Sequence, residues 1–303
     1  MRCGNRGLAA FFTLLCAVLA VGCAASAEAP APEPLPLSEA IANSAEVVAA
    51  IRAGLREYAS AITVDFTFHG ELLDELSALT DEWVEAALAE TDDPTEGDYI
   101  RYQYGGYERT CRYEAENGQY HYTVEIVPDY YLYRVQEQEA SAKLAEVYAE
   151  LALDADAPDY EKVRAIYDYV CSHVKYDEIH RKNPYYHAKS TAYAALVNQR
   201  ATCQGYCVLL YRMLRENGVD CRVVTGTGID GTGERLHAWN IAAVDGQYYN
   251  LDATWDVGAE EYRWFLRGSE AFVNHTAGET FASEAFKSRY PMAAEDYPVR
   301  GDE

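Results

Sequence analysis

Residues 236–252 have the sequence LHAWNIAAVDGQYYNLD, and this stretch decides the fold. Aliphatic, aromatic and β-branched residues on both sides of Asp245-Gly246 predict two strands, and Asp-Gly is a favoured two-residue hairpin turn. Side chains alternate between the two faces of a strand, so folding about this turn places His237 and Asp252 on one face as diagonal neighbours. Such neighbours lie roughly 7–8 Å apart, within reach of a carboxylate-imidazole hydrogen bond.

A thiol lies upstream of this hairpin. Cys203 belongs to the sequence ATCQGYC at 201–207 and precedes apolar residues at helical spacing that end at Asn217-Gly218. This pattern predicts that Cys203 lies at or near a helix N-terminus, where the helix dipole favours a thiolate. A thiol, an imidazole and a carboxylate in this order supply a nucleophile, a base and an orienting acid.

Three motifs carry a resemblance to a known family: CQGY at 203–206, HAWN at 237–240 and DATWD at 252–256. Together they resemble the transglutaminase-like (papain-like) superfamily, in the form common in bacterial proteins with a transglutaminase core domain. The resemblance covers about residues 159–268 and departs from the family pattern at Gln199-Arg200, where small or glycine residues are usual.

The resemblance implies a thiol acyl-transfer enzyme that acts on carboxamide or peptide bonds through a thioester, by transamidation or hydrolysis. Cys203 would be the nucleophile, His237 the base and Asp252 the orienting acid. The alternative is a non-catalytic surface protein that binds or adheres to peptide with the same fold.

The developing oxyanion of such a reaction needs two hydrogen-bond donors. The Cys203 backbone N–H is one candidate, and the supporting side-chain candidates are Gln204, Tyr176, Gln199 and Trp239. We expect Trp239 and Trp255 to be core or cleft walls that keep water from the imidazole.

We expect no metal and no cofactor. A zinc site would need Cys203, Cys207 and His237 to converge, but their spacing fits no structural zinc pattern. Acidic residues are plentiful, yet they form no EF-hand-like calcium array. The six other histidines have no partner pattern and are interpreted as structural or surface residues: His69, His121, His173, His180, His187 and His275.

Charge limits the choice of partners. The 303 residues contain 49 acids and 25 bases, a formal charge of −24. Such a surface repels nucleic acid, which we exclude as a partner. The expected partner is a protein or peptide substrate, including cell-wall peptide, while the oligomeric state stays open.

The N-terminus predicts export. Arg2 and Arg6 precede an apolar run, which is typical of a signal peptide over residues 1–22. The sequence AVGC at 20–23 resembles a bacterial lipobox and predicts a lipid on Cys23, although a competing cleavage site follows Ala27. We therefore expect an extracytoplasmic protein, either secreted or held at the membrane only through this lipid.

The remaining chain is long enough for two modest domains. We predict the fold class α+β, with a papain-like core whose nucleophile-bearing helix packs on an antiparallel sheet, preceded by a smaller α+β domain. The predicted limits are an Ala/Pro-rich tether at 23–36, an N-terminal domain at 37–152, the transglutaminase-like domain at 153–290 and a tail at 291–303.

The strands and helices follow from the apolar periodicity. Helices are predicted at 38–60, 71–90, 136–151 and 160–173, and strands at 61–69, 99–114, 119–133 and 262–266. Beyond Cys23, Cys203 is one of five cysteines, an odd number, so one thiol must stay free. Pairing among the other four stays open: Cys111, Cys171, Cys207 and Cys221.

Overall fold

The structure, a computed structural model, describes residues 44–231 and 233–298. The predicted signal peptide, the tether and the lipid on Cys23 lie outside these residues. Within the described part of the chain, no helix is both long and apolar enough to cross a membrane.

The N-terminal part is a small three-stranded sheet covered by helices. Its elements are α1 (Ser44–Arg56), β1 (Ile62–His69), α2 (Leu76–Ala87), α3 (Asp98–Arg101), β2 (Tyr104–Glu116) and β3 (Gln119–Tyr130). The strands pair antiparallel in the order β1-β3-β2. Buried and exposed residues alternate along β1, and its buried residues pack in one cluster with those of α1 and α2.

The turn of the β2–β3 hairpin lies where Asn-Gly predicts it. Asn117 and Gly118 have φ angles of 52° and 78°, and the favoured two-residue turn requires positive φ at both central positions. The predicted start of strand β2 at Tyr99 is wrong, because Tyr99 lies in helix α3 and its side chain is buried. Tyrosine enrichment alone does not separate a strand from a short helix that buries its rings.

The rest of the described chain forms the core region. Its elements are α4 (Arg134–Leu151), α5 (Asp159–His173), β4 (Lys175–Tyr176), a 3₁₀ turn (His187–Ser190), α6 (Ala192–Leu196), β5 (Arg200–Ala201), α7 (Cys203–Glu216), β6 (Cys221–Asp230), β7 (Gly233–Val244), β8 (Gln247–Leu251), α8 (Ala253–Asp256), β9 (His275–Ala277), α9 (Glu279–Ala282) and α10 (Glu284–Arg289).

Helix α7 is the centre of this region. Every residue from Cys203 to Leu214 is buried, because the helix contacts strands β6 and β7 as well as helices α5 and α6. Gly205 permits this packing, since a Cβ there would lie 2.7 Å from the Ala201 Cβ and 2.9 Å from the Thr191 carbonyl oxygen. The structure confirms the predicted fold class, α+β with the nucleophile-bearing helix packed on an antiparallel sheet.

The four-stranded sheet of the core region has the strand order β8-β7-β6-β9. The predicted strand at 262–266 is wrong, and the edge strand is β9 instead. The backbone N–H groups of Arg263 and Trp264 donate to the Asp256 carboxylate at 2.7 and 2.9 Å, so they bond to a side chain and not to a neighbouring strand. Just after this segment, Arg267 pairs with β8 as an isolated bridge to Asn250.

A buried interface joins the N-terminal part to the core region. Tyr99 and Tyr102 belong to the same apolar cluster as Val147 of α4 and the residues of α7. Arg222 of β6 donates to the Asp98 carboxylate of α3 at 2.8 Å. Packing is therefore continuous across residue 152, and the domain limits stay a prediction.

Candidate active site

The β7–β8 hairpin brings an imidazole and a carboxylate together. Asp245 and Gly246 form its turn with φ angles of 51° and 81°, and Val244 pairs with Gln247. In this register His237 Nε2 donates to Asp252 Oδ2 at 2.6 Å. The contact that we predicted from strand alternation is therefore present.

Asp252 is held by more than the hairpin. It is the residue that caps α8, and its Oδ1 accepts hydrogen bonds from the N–H of Thr254 at 3.1 Å and of Trp255 at 3.2 Å. The Thr254 hydroxyl donates to the same oxygen at 2.5 Å. Because Oδ1 is fixed in this way, Oδ2 is directed at the imidazole.

Cys203 completes the group from a different element. It is the first residue of α7, with Thr202 as the capping residue, and it is 8% exposed. Its sulfur lies close enough to His237 to help raise the pKa of that imidazole. Since Nε2 of His237 binds Asp252, Nδ1 is the nitrogen that remains for the sulfur. The structure thus brings Cys203, His237 and Asp252 together, as the sequence predicts.

The electrostatics of the pair favour its charged form. Burial lowers the pKa of His237, but the hydrogen bond and charge of Asp252, and then the Cys203 sulfur, outweigh burial and raise this pKa to about 10. Burial raises the pKa of Asp252, while hydrogen bonds from His237, His275 and Thr254 lower it to about 2. At neutral pH the site therefore holds an imidazolium beside a carboxylate.

Two of the supporting candidates have their side-chain donors engaged elsewhere. The Gln204 side-chain amide donates to the Tyr102 carbonyl, which ties the start of α7 to α3. The Trp239 indole N–H donates to Asn250 Oδ1 at 3.2 Å.

The other two candidates differ in their distance from the thiol. Tyr176 of β4 lies close enough to Cys203 that burial, followed by the sulfur, raises the pKa of its phenol. Gln199 has an exposed side chain and a positive φ of 51°, and its carbonyl accepts the Lys175 N–H at 2.9 Å.

Aromatic rings enclose the imidazole, as predicted for the two tryptophans. Trp255 stacks on His237 with ring centroids 5.0 Å apart, and Trp239 lies at 6.3 Å. Gly228 of β6 adds a third wall, because a Cβ there would lie 3.2 Å from the imidazole Cδ2. The rings limit the access of water to the His237–Asp252 pair.

One residue that the sequence interpretation missed belongs to this site. His275 Nε2 donates to Asp252 Oδ2 at 3.0 Å, so two imidazoles share one carboxylate oxygen. His275 lies 23 residues beyond Asp252, on strand β9. To find His275 from the sequence, one would have had to predict that β9 pairs with β6, and no turn motif in the sequence indicates this pairing.

Among the described residues, one group of three side chains has metal-ligand chemistry: His237, Asp252 and His275, with donor atoms within 4.8 Å of one another. Hydrogen bonds account for this spacing, because both imidazoles bind the same oxygen. The five described cysteines are all free, including Cys207 one turn after Cys203. The pairings that we left open do not form here.

Helix α7, which begins at Cys203, packs on the antiparallel sheet that carries His237, and this arrangement gives the core region an α+β architecture. Residues 147–253 match the family described as the transglutaminase-like superfamily. Over these residues the chain is similar to the transglutaminase-like core domain, as the motifs predicted.

Curated relatives share part of this region. Kyphoscoliosis peptidase of Mus musculus is 36% identical over 147 residues, which are 44% of this chain and 22% of the relative. The Homo sapiens protein of the same name is 35% identical over 128 residues, 39% and 19% of the two chains. The chain thus spans about a fifth of the relatives' length. A solved structure described as a TGase aligns with a TM-score of 0.37 and 18% identity, over 53% of this chain and 47% of the other.

Proposed function

We propose that this protein is a thiol acyl-transfer enzyme that acts on carboxamide or peptide bonds, with Cys203 as nucleophile, His237 as general base and acid, and Asp252 as the orienting acid. The observation that carries the proposal is the buried His237–Asp252 hydrogen bond of 2.6 Å, next to a thiol at the start of helix α7 that acts on the same imidazole. A site that only bound peptide would gain nothing from a thiol beside an imidazolium.

The first half of the proposed reaction forms a thioester. The Cys203 thiolate attacks the carbonyl carbon, a C–S bond forms, and the carbonyl electron pair moves to the oxygen. The backbone N–H of Cys203, at the start of α7, and the neighbouring Tyr176 hydroxyl are the donors that we assign to the oxyanion. When the C–N bond breaks, His237 gives its proton to the departing amine.

The second half releases the acyl group. Water or an amine attacks the thioester carbon, His237 takes the proton of the attacking group, and the C–S bond breaks to restore the thiolate. We propose hydrolysis as the main outcome because the two curated relatives are named peptidases. The proposed substrate is extracellular protein or cell-wall peptide, in keeping with the export signal expected from the sequence.

The first test is alkylation of the mature protein by iodoacetamide across pH, with mass spectrometry to assign each thiol. We expect fast labelling of Cys203 at or below neutral pH, because the His237 imidazolium stabilises the thiolate, and labelling at least about 100-fold slower in His237→Ala. Cys207 is a matched control in the same molecule, since it is buried on the same helix but has no imidazole partner among the described residues.

Two outcomes would contradict the proposal. If Cys203 reacts no faster than a free thiol of pKa about 8.5, the site is not activated and the peptide-binding alternative takes its place. If His237→Ala labels as fast as the wild type, the imidazole does not ionise the thiol. When labelling is fast, amide peptides with and without an added amine then separate hydrolysis from transamidation, with Cys203→Ala as the blank.

A further inference from the structure

Asp252 Oδ2 accepts hydrogen bonds from two imidazoles, His237 at 2.6 Å and His275 at 3.0 Å. The side chains of Asp252 and His275 are both 1% exposed, so water does not compete for this oxygen. We propose that His275 is a positioning residue for the reaction, which holds the Asp252 carboxylate in the orientation and charge state that His237 requires. This inference rests on the proposed function.

Packing fixes the His275 ring before any hydrogen bond is considered. Strand β9 pairs with β6, which sets His275 opposite Gly228 and directly beside the imidazole of His237. The His275 ring stacks on Phe272 with centroids 3.9 Å apart and an interplanar angle of 19°. Trp255 covers it at 4.3 Å. A ring clamped in this way presents Nε2 to Asp252 in one position only.

The hydrogen bonds of the His275 ring point to its role. Nδ1 lies 3.2 Å from the Val273 carbonyl oxygen, and Nε2 lies against the carboxylate. Both partners are acceptors, so the ring serves the site as a donor. It neither contacts the reacting carbonyl in the proposed mechanism nor takes a proton there. Its action on Cys203 passes through Asp252 and His237.

The second donor also protects the charge of Asp252. A buried carboxylate that loses a hydrogen bond becomes easier to protonate, and a protonated Asp252 no longer stabilises the His237 imidazolium. The titratable groups that act on Asp252 or feel its charge are the imidazoles of His237 and His275, the carboxyl of Asp256, the phenol of Tyr167 and the thiols of Cys171 and Cys207. Of these, only the two imidazoles donate to Asp252 Oδ2 within the described residues.

Two substitutions separate the hydrogen bond from the packing. His275→Phe keeps a flat ring against Phe272 but has no donor, whereas the side-chain amide of His275→Gln can place an N–H near the position of Nε2. The measurement is the second-order rate of Cys203 alkylation by iodoacetamide from pH 4 to pH 9, with thermal unfolding of each variant alongside. If the phenylalanine variant does not fold, His275→Leu replaces it as the donor-free variant.

We expect the acid limb of the profile to move to higher pH in His275→Phe, with labelling about tenfold slower at pH 5, the size of one hydrogen bond to a charged group. His275→Gln should recover the wild-type rate to within about threefold. Equal profiles for the wild type and the donor-free variant would overturn the inference while leaving the proposed function intact. Equal loss in the glutamine and donor-free variants would also overturn it, since packing alone would then explain the effect. Slow labelling of the wild type itself would defeat the proposed function and this inference together.

Discussion

The carboxyl group of Asp252 is buried and that of Glu90 is largely buried, yet their surroundings shift the two pKa values in opposite directions. Burial raises the pKa of each, but at Asp252 the donors of His237, His275 and Thr254 outweigh burial and bring it to about 2. At Glu90, burial and the neighbouring charge of Asp98 outweigh its hydrogen bonds and raise its pKa to about 7. The number of donors and cations for each carboxyl group, and not burial alone, decides its charge.

The two regions also differ in what they join. Asp252 joins the β7–β8 hairpin to the edge strand β9, because its one carboxylate binds the imidazoles of His237 and His275. Glu90 lies between the N-terminal part and the core region, where one guanidinium, that of Arg222, serves two carboxyl groups. An excess of donors keeps Asp252 charged, while an excess of acceptors makes the region around Glu90 sensitive to pH.

The largest effect should follow from Asp252→Asn, which removes the charge and keeps the shape. We expect Cys203 alkylation at pH 6.5 to slow by about 1,000-fold, because a neutral amide cannot support the His237 imidazolium. Rates measured by mass spectrometry test this. Asp245→Asn, an exposed change at the turn of the same hairpin, is the matched control and should leave the rate unchanged. A loss below about tenfold in Asp252→Asn would show that the carboxylate does not support the base.

The same variant should alter the dependence of stability on pH. His237 has a raised pKa, so its contribution is complete below about pH 6.5 and disappears as the pH rises through about 10. Asp252 has a lowered pKa, so its contribution is complete above about pH 4 and disappears as the pH falls through about 2. The difference in unfolding free energy between the wild type and Asp252→Asn should therefore be largest from about pH 4 to 6.5. Denaturant titrations at several pH values measure it.

The second largest effect should follow from Arg222→Met, which removes the cation that Glu90 and Asp98 share. Arg222 donates to Asp98 at 2.8 and 3.0 Å and lies 3.4 Å from Glu90, so removing it takes this counter-charge from both carboxyl groups. We expect the free energy of unfolding to fall by about 3 kcal/mol at pH 8. Urea unfolding checks this against Arg112→Met, an exposed change on β2 that should cost less than about 0.5 kcal/mol. If the two variants are equally stable, the interface does not depend on this cation.

These two regions were not equally accessible from the sequence. The His237–Asp252 contact depends on one hairpin whose turn, Asp245-Gly246, fixes the register, so it could be predicted from 17 consecutive residues. The position of Cys203 at a helix N-terminus could be predicted from the helical spacing of the apolar residues that follow it. Local periodicity and short motifs carry this information because the groups involved lie on single elements or their ends.

The remaining contacts join elements that are distant in sequence. Arg222 and Asp98 are 124 residues apart, and His275 reaches Asp252 only because β9 adds to the edge of β6. Gln204, a candidate donor to the oxyanion, instead donates to the carbonyl of Tyr102, which lies 102 residues earlier in the chain. Such contacts depend on how distant elements pack together, and this packing cannot be predicted from composition or from the periodicity of apolar residues.

The smallest effect, and the sharpest test of the comparison, should follow from Glu90→Gln. The folded state holds a proton on Glu90 up to about pH 7, whereas the unfolded chain releases it near its ordinary value of 4.5. The wild type therefore loses stability as the pH rises through this interval. Glutamine stays neutral, and its amide oxygen can still accept the Asp98 N–H, which lies 2.7 Å from Glu90 Oε1.

We thus expect Glu90→Gln to match the wild type near pH 4 and to exceed it by about 1 kcal/mol at pH 8. Urea unfolding across this range measures the difference. Glu82→Gln removes the same charge from an exposed position on α2, so it should change the free energy of unfolding by less than about 0.5 kcal/mol. If Glu90→Gln is less stable than the wild type at pH 8, the folded state favours the ionised form of Glu90, and Arg222 neutralises both carboxyl groups. The difference between Asp252 and Glu90 would then come from the kind of cation beside each, imidazoles at Asp252 and a guanidinium at Glu90.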